Sequence, residues 1–145
     1  MKNQNRKYIN HSTAGYTLTE LLVVLVILGL IMGLVAPRLL GQIGGAQSKT
    51  ASAQVQNLAS AVEFFHLDTG RYPTSSEGLQ VLVSNSGGIE GWNGPYLKGS
   101  KLPNDPWKNP YIYELRANGQ FVIRTLGADN KEGGDGKNKD HEATS

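Results

Sequence analysis

Gly15-Tyr16-Thr17-Leu18-Thr19-Glu20, running directly into the apolar stretch Leu21–Ala36, is the segment that decides how this chain is built. The stretch has no charge between Glu20 and Arg38. A single carboxylate thus stands at the start of an otherwise greasy helix. Such a group loses its hydration in an apolar medium, and that loss is costly unless a cationic partner stands beside it. The position of Glu20 therefore points to function, and to a positively charged partner.

Before this segment comes a short leader with Lys2, Arg6, Lys7 and no acid. It resembles the n-region of an export signal. In an ordinary signal the apolar stretch precedes a cleavage site of small residues. Here Gly15 precedes the apolar stretch, so a cut after Gly15 would leave the hydrophobic helix on the mature chain. From Tyr16 to Leu40 the segment is long enough to cross a bilayer core, which needs ~20 residues. The plain reading is a one-pass anchor with its basic end in the cytoplasm. That reading leaves Glu20 and the Gly15-Tyr16 junction without a purpose.

Gly15-Tyr16-Thr17-Leu18-Thr19-Glu20 resembles the type IV prepilin signature, a Gly followed by an aromatic residue, Thr-Leu and a Glu. Pro37 falls where that family has a helix-kinking proline. The resemblance implies cleavage between Gly15 and Tyr16 by a membrane prepilin peptidase and N-methylation of Tyr16. It also implies that Glu20 pairs with the α-amine of a neighbouring subunit during filament assembly. The physics agrees, because two charges that are each costly in lipid offset one another when adjacent. Tyr16 stands in place of the commoner Phe, and Ala14 in place of a frequent basic residue.

Three of the 14 basic residues lie in the leader, so the rest of the chain carries 11 against 12 acidic side chains. That balance gives no electrostatic footprint for nucleic acid. The reading divides the chain into a leader over 1–15, a transmembrane and polymerisation helix over 16–40, and a periplasmic head over 41–145. The head is one small domain with a marginal core. It contains no cysteine, so disulfides do not staple it.

Ala51, Val55, Leu58, Val62 and Phe65 recur at helical spacing and predict an amphipathic helix over 46–67. Gly70 is placed to end it. Gly41, Gly44 and Gly45 weaken the join by about 1 kcal/mol each, and the sequence leaves open whether that join is bent or melted. Thr74 and Glu77 match a capping box before a short helix over 75–83. Residues 84–100 read as a loop, pinned by Trp92, Pro95, Tyr96 and Leu97. Tyr111–Leu115 and Gln120–Leu126 read as strands, with Asn118-Gly119 as the hairpin signal. His141–Ser145 is expected to be a mobile tail.

The head motifs Gly70-Arg71-Tyr72-Pro73-Thr74, Glu77-Gly78-Leu79-Gln80, Gly94-Pro95-Tyr96-Leu97, Leu102-Pro103-Asn104-Asp105-Pro106-Trp107 and Leu126-Gly127-Ala128-Asp129 are similar to the major pseudopilin of the type II secretion system. The resemblance implies an α+β, type IV pilin-like fold: a long N-terminal helix on a small head with a C-terminal antiparallel hairpin or sheet and a metal loop. Lys108 departs from the family, which usually has Gly there. Adhesive pilins usually carry a cysteine pair near the C-terminus, which this chain lacks. A type IV pilin or minor pseudopilin is the alternative.

Asp129, Glu132, Asp135 and Asp140 lie among Gly133, Gly134 and Gly136. Hard oxygen ligands on a flexible loop suit Ca²⁺, and a solvated acidic loop suits the same composition. An EF-hand is excluded, because Lys131 stands at its third position and a strand leads in. The resemblance implies one structural Ca²⁺, held by Asp129, Asp140, Asp135 and the Leu126 backbone carbonyl. Three scattered histidines offer no zinc spacing, and Ser75 and Ser76 lack a His-Asp constellation. The expected protein is not an enzyme. The resemblance implies an inner-membrane, single-pass subunit of a periplasmic pseudopilus. Its implied partners are itself, minor pseudopilins, the inner-membrane assembly platform, the prepilin peptidase and the secretin complex.

Overall fold

The computed structural model describes residues 15–145; the leader expected over 1–15 lies, apart from Gly15, outside the described residues. The chain divides into two compact units, Met1–Leu39 and Leu40–Ser145. One element runs through both, the 52-residue helix α1, Leu18–Thr69. It starts where Thr17 accepts the Glu20 and Leu21 amides on its carbonyl. It continues without a break through Pro37 and Gly41–Gly45. The join that the sequence left open is thus helical. The helix ends at Gly70, whose φ of 73° is left-handed and whose N–H donates to the His66 carbonyl at 2.8 Å. Gly takes this C′ conformation without the Cβ clash of other residues.

In the first unit the apolar side chains of Leu21–Val35 are exposed around the helix. By length and composition this segment can cross a membrane. In the second unit the periodic face is the core. Val55, Leu58, Val62 and Phe65 are essentially inaccessible. They cluster with Leu79 and Leu82, with Tyr111, and with Phe121, Ile123 and Ala143 of the sheet.

The sheet has three antiparallel strands in the order β1-β2-β3: β1 is Ile112–Leu115, β2 Phe121–Thr125 and β3 His141–Thr144. Tyr113 pairs with Ile123, and Ile123 with Ala143. The β1–β2 connection closes with the Gly119 N–H on the Arg116 carbonyl, and the Arg116 N–H on the Gln120 carbonyl. Gly119, at φ 85°, takes the left-handed position of a three-residue hairpin loop with a glycine bulge.

Two expectations need correction. The tail is not mobile: His141–Thr144 is the third strand, and the His141 ring meets the Ser48 hydroxyl of α1 at 2.8 Å. Four ladder positions and Ala143 in the core anchor it. Burial, then Lys139, hold the His141 imidazole below its ordinary pKa. The helix expected over 75–83 is a five-residue 3₁₀ turn, Gly78–Leu82. The capping box does form, with the Thr74 N–H on Glu77 Oε2 at 2.8 Å and the Glu77 N–H on Thr74 Oγ1 at 3.2 Å. Gly78 at φ 61° then breaks the α path one residue later.

Arg71 clamps the same Glu77 carboxylate with two hydrogen bonds of 2.7 Å. That guanidinium, and then the Thr74 amide, lower the Glu77 pKa to about 2. The aromatic pins are in place. Trp92 Nε1 donates to the Val81 carbonyl at 2.7 Å, Tyr96 donates to Asp68, and Tyr113 to the Pro73 carbonyl. Ser75 accepts the Leu115 N–H, so its hydroxyl serves the edge of β1.

Candidate functional site

Two places in the chain carry the residues singled out by the sequence. The first is the start of α1. Glu20 is exposed on an apolar helix surface, and a shallow recess there is lined by Tyr16, Glu20, Leu21 and Val24. Its carboxylate receives the Thr17 N–H at 3.4 Å, while Thr17 Oγ1 receives the Glu20 N–H at 3.3 Å. Thr17-Leu18-Thr19-Glu20 is thus a capping box, a pattern legible in the sequence that the reading of Glu20 as an unpaired carboxylate passed over. The bonds are long and the group stays open to solvent. A helix N-terminus favours a negative charge, so the fold gives Glu20 a weak resting place and leaves it open to a stronger cationic partner. Gly15 and Tyr16 precede the helix in exposed chain without regular secondary structure.

The second is the loop from Leu126 to Asp140 that joins β2 to β3. Its path is closed by the Ala128 N–H on the Lys137 carbonyl at 3.0 Å. Gly127 sits at φ 68°, and a Cβ there would stand 2.5 Å from the Asn138 carbonyl carbon; at Gly134, φ 97°, one would stand 2.8 Å from the Asn138 oxygen. Only glycine fits both positions.

Asp140 is held inside the loop by the Gly133 N–H on Oδ2 at 2.8 Å. Its Oδ1 is buried and without a hydrogen-bond partner. Asp129 accepts the Lys131 N–H at 3.3 Å and, like Asp135, is exposed. Among the described residues no three acidic, His or Cys side chains gather into a metal-holding group. The expected three-aspartate set is therefore not brought together by side chains alone. Like charges repel, and Asp129 and Asp140 have each taken a backbone N–H instead. The donor set still fits a hard cation, because a buried carboxylate oxygen with no partner in a loop of backbone carbonyls matches Ca²⁺ chemistry.

The loop rests on a buried carboxylate that the sequence reading named only as part of the Leu102–Trp107 motif. Asp105 is 4% exposed. Oδ1 accepts the Trp107 N–H at 3.0 Å and the Asn109 N–H at 2.7 Å, and Oδ2 accepts the Thr125 hydroxyl at 2.6 Å. Asn109 then donates to the Gly127 carbonyl at 3.2 Å. One carboxylate so joins the 105–109 turn, the end of β2 and the mouth of the acidic loop. Its signal was present as Asp105-Pro106 with Asn109 four residues on, a side-chain turn that mimics the backbone.

Lys108, in the same turn, stands at φ 75°. A Cβ in this region costs about 1 kcal/mol or more. Lys108→Gly is expected to raise the stability of the head by about 1 kcal/mol, read as a higher urea midpoint with an unchanged slope; an unchanged or lower midpoint would contradict the strain.

Known proteins match both stretches of the chain. The family model described as type II secretion system (T2SS), protein G, matches residues 38–143, and that of the prokaryotic N-terminal methylation motif matches residues 10–36. Type II secretion system core protein G of Pseudomonas aeruginosa is 39% identical over 132 residues, covering 88% of this chain and 92% of that protein. The Vibrio cholerae protein of the same name is 40% identical over 130 residues, covering 87% and 88%. The crystal structure of the major pseudopilin from the type 2 secretion system of enterohaemorrhagic Escherichia coli superposes with a TM-score of 0.56 at 25% identity. It covers 73% of this chain and 93% of that one.

Proposed function

The chain belongs to the type II secretion system protein G family, the major pseudopilins, and from that premise we propose how it is processed, assembled and held together. It is a structural subunit of the pseudopilus that drives type II secretion. In the reading advanced here, prepilin peptidase cuts between Gly15 and Tyr16 and the new α-amine of Tyr16 is methylated. The apolar part of α1 holds the subunit in the inner membrane, with the head in the periplasm. Subunits then leave the bilayer and stack, each Glu20 pairing with the α-amine of a neighbour. Extension of the filament pushes folded exoproteins through the outer-membrane secretin, with minor pseudopilins and the inner-membrane platform as partners.

The observation that carries this reading is the open Glu20 carboxylate on an apolar helix surface beside Tyr16. Its charge is costly in that setting unless an ammonium is close by. The test is deletion of the gene in its own host. Secretion of folded exoproteins should stop and return with the intact gene; secretion that continues in the deletion strain would contradict the reading.

In the loop from Leu126 to Asp140, Asp140 would hold one Ca²⁺, joined by Asp129, Asp135 and the Leu126 carbonyl. The ion would supply the positive charge that lets these acids approach, and would close the loop against β3 in place of a disulfide. Adding EDTA to the detergent-solubilised chain should lower its melting temperature, and Ca²⁺ should restore it. Identical melting curves with and without Ca²⁺ would refute the metal.

A further inference from the structure

The loop from Leu126 to Asp140 carries three lysines, Lys131, Lys137 and Lys139, which neither the fold nor the expected metal uses. All three are exposed, and their ammonium groups make no ion pair among the described residues. The acids of the same loop are mostly engaged. Glu132 pairs with Arg124 at 3.3 Å. Asp129 accepts the Lys131 N–H and Asp140 the Gly133 N–H, which turns both carboxylates back onto the loop. Asp135 alone among them keeps a side chain without a partner among the described residues. The charges turned outward are thus chiefly positive.

The place of the loop along α1 supplies a partner. The loop rests on the helix at Gly44, where a Cβ would stand 3.3 Å from Lys137 Cβ. One turn further on, Ser48 meets His141 at 2.8 Å. Ile43, exposed at 56%, continues the apolar run that Leu39 and Leu40 carry past Arg38. Gly44 lies four residues beyond Leu40, the expected end of the membrane segment, which is about 6 Å along a helix. The polar layer of a bilayer is roughly 5–8 Å deep on each side. Lys137 therefore stands at headgroup depth when α1 crosses the membrane. A lysine stem can run along apolar surface and carry its ammonium to a charged group.

We propose that Lys131, Lys137 and Lys139 form a docking surface for anionic phospholipid headgroups. The proposal rests on the inner-membrane reading of α1, and the occupant follows from charge and position. A bilayer that carries anionic lipid attracts basic segments close to its surface, and the attraction fades within a Debye length. The contact holds the head against the bilayer while the subunit is a membrane monomer. It is released when the subunit leaves the lipid for the filament.

The full-length chain is placed in nanodiscs of phosphatidylcholine, with or without about one third phosphatidylglycerol, at one fixed Ca²⁺ level. Backbone hydrogen exchange is read over residues 128–140. Exchange there should slow about tenfold in the anionic discs. The slowing should vanish at about 1 M salt, where the Debye length is about 3 Å. Lys131→Gln, Lys137→Gln and Lys139→Gln together should exchange alike in both discs, while the three Lys→Arg changes should retain the slowing. The Gln variant should melt as the wild type does, because the three side chains are exposed and Gln keeps the Cβ that packs at Gly44. Equal exchange of the wild type in both discs, or slowing that survives in the Gln variant, would overturn the lipid contact and leave the pseudopilus reading standing. A chain that stays in water and does not enter the discs would overturn the membrane segment, and this proposal with it.

Discussion

Glu20→Ala should insert into the membrane at the normal level and abolish filament assembly and secretion. In an assembled filament the carboxylate would neutralise a neighbour's α-ammonium within an apolar core. Removing one member of such a pair leaves the other charge buried and unpaired, at a cost of about 3–5 kcal/mol. That is at least a hundredfold per subunit added, enough to stop growth. The alanine also removes the Thr17–Glu20 capping box, which is worth about 1 kcal/mol. Glu20→Gln separates the two effects. Glutamine still accepts the Thr17 N–H but carries no charge. If charge pairing is the cause, Gln fails nearly as badly as Ala in secretion of folded exoproteins and in filament counts. Secretion restored by Gln would assign the role to the cap.

Asp105→Ala should be the most damaging single change in the head. It strips the acceptor from the Trp107 and Asn109 amides and the Thr125 hydroxyl. Each group left without a partner costs about 1–3 kcal/mol when buried; two of the three are part-buried, so a loss of about 3 kcal/mol or more is expected in sum. Small domains are stable by about 5–15 kcal/mol in total. At roughly 4–8 °C per kcal/mol, the melting temperature of the full chain in detergent should fall by more than about 10 °C. Through Asn109 and Gly127 the same change should weaken the Ca²⁺ response of the loop. Asp105→Asn keeps one acceptor oxygen and should fall between the wild type and Ala. A shift of only a few degrees for Ala would show that the carboxylate is not the joint described here.

What the sequence revealed and what it hid divide along a physical line. The face Ala51, Val55, Leu58, Val62 and Phe65 is buried as its period required, because burial of a helix face leaves a regular pattern. The hairpin was visible in Asn118-Gly119 for the same local reason. The third strand was not. His141-Glu142-Ala143-Thr144 has low strand propensity and one buried residue, and it is held by pairing with β2 across the intervening loop, residues 126–140. The 3₁₀ turn was hidden by a correct capping box followed by a glycine that takes a positive φ.

At the sites, Glu20 was legible because a lone carboxylate in an apolar run is conspicuous. Asp105 showed only a local turn signal, since its value lies in three donors, two of them backbone amides, that only the folded chain assembles. The acidic loop showed its composition but not its geometry. The structure singles out Asp140, whose unpartnered Oδ1 distinguishes it from the exposed Asp129 and Asp135.

Cleavage after Gly15 and polymerisation of the cut chain can be read together by mass spectrometry of filaments sheared from cells that overproduce the secretion system. The predicted result is a filament made chiefly of this chain, beginning at a methylated Tyr16 and lacking residues 1–15. Filaments without this chain, or a full-length chain found only in the membrane, would contradict it.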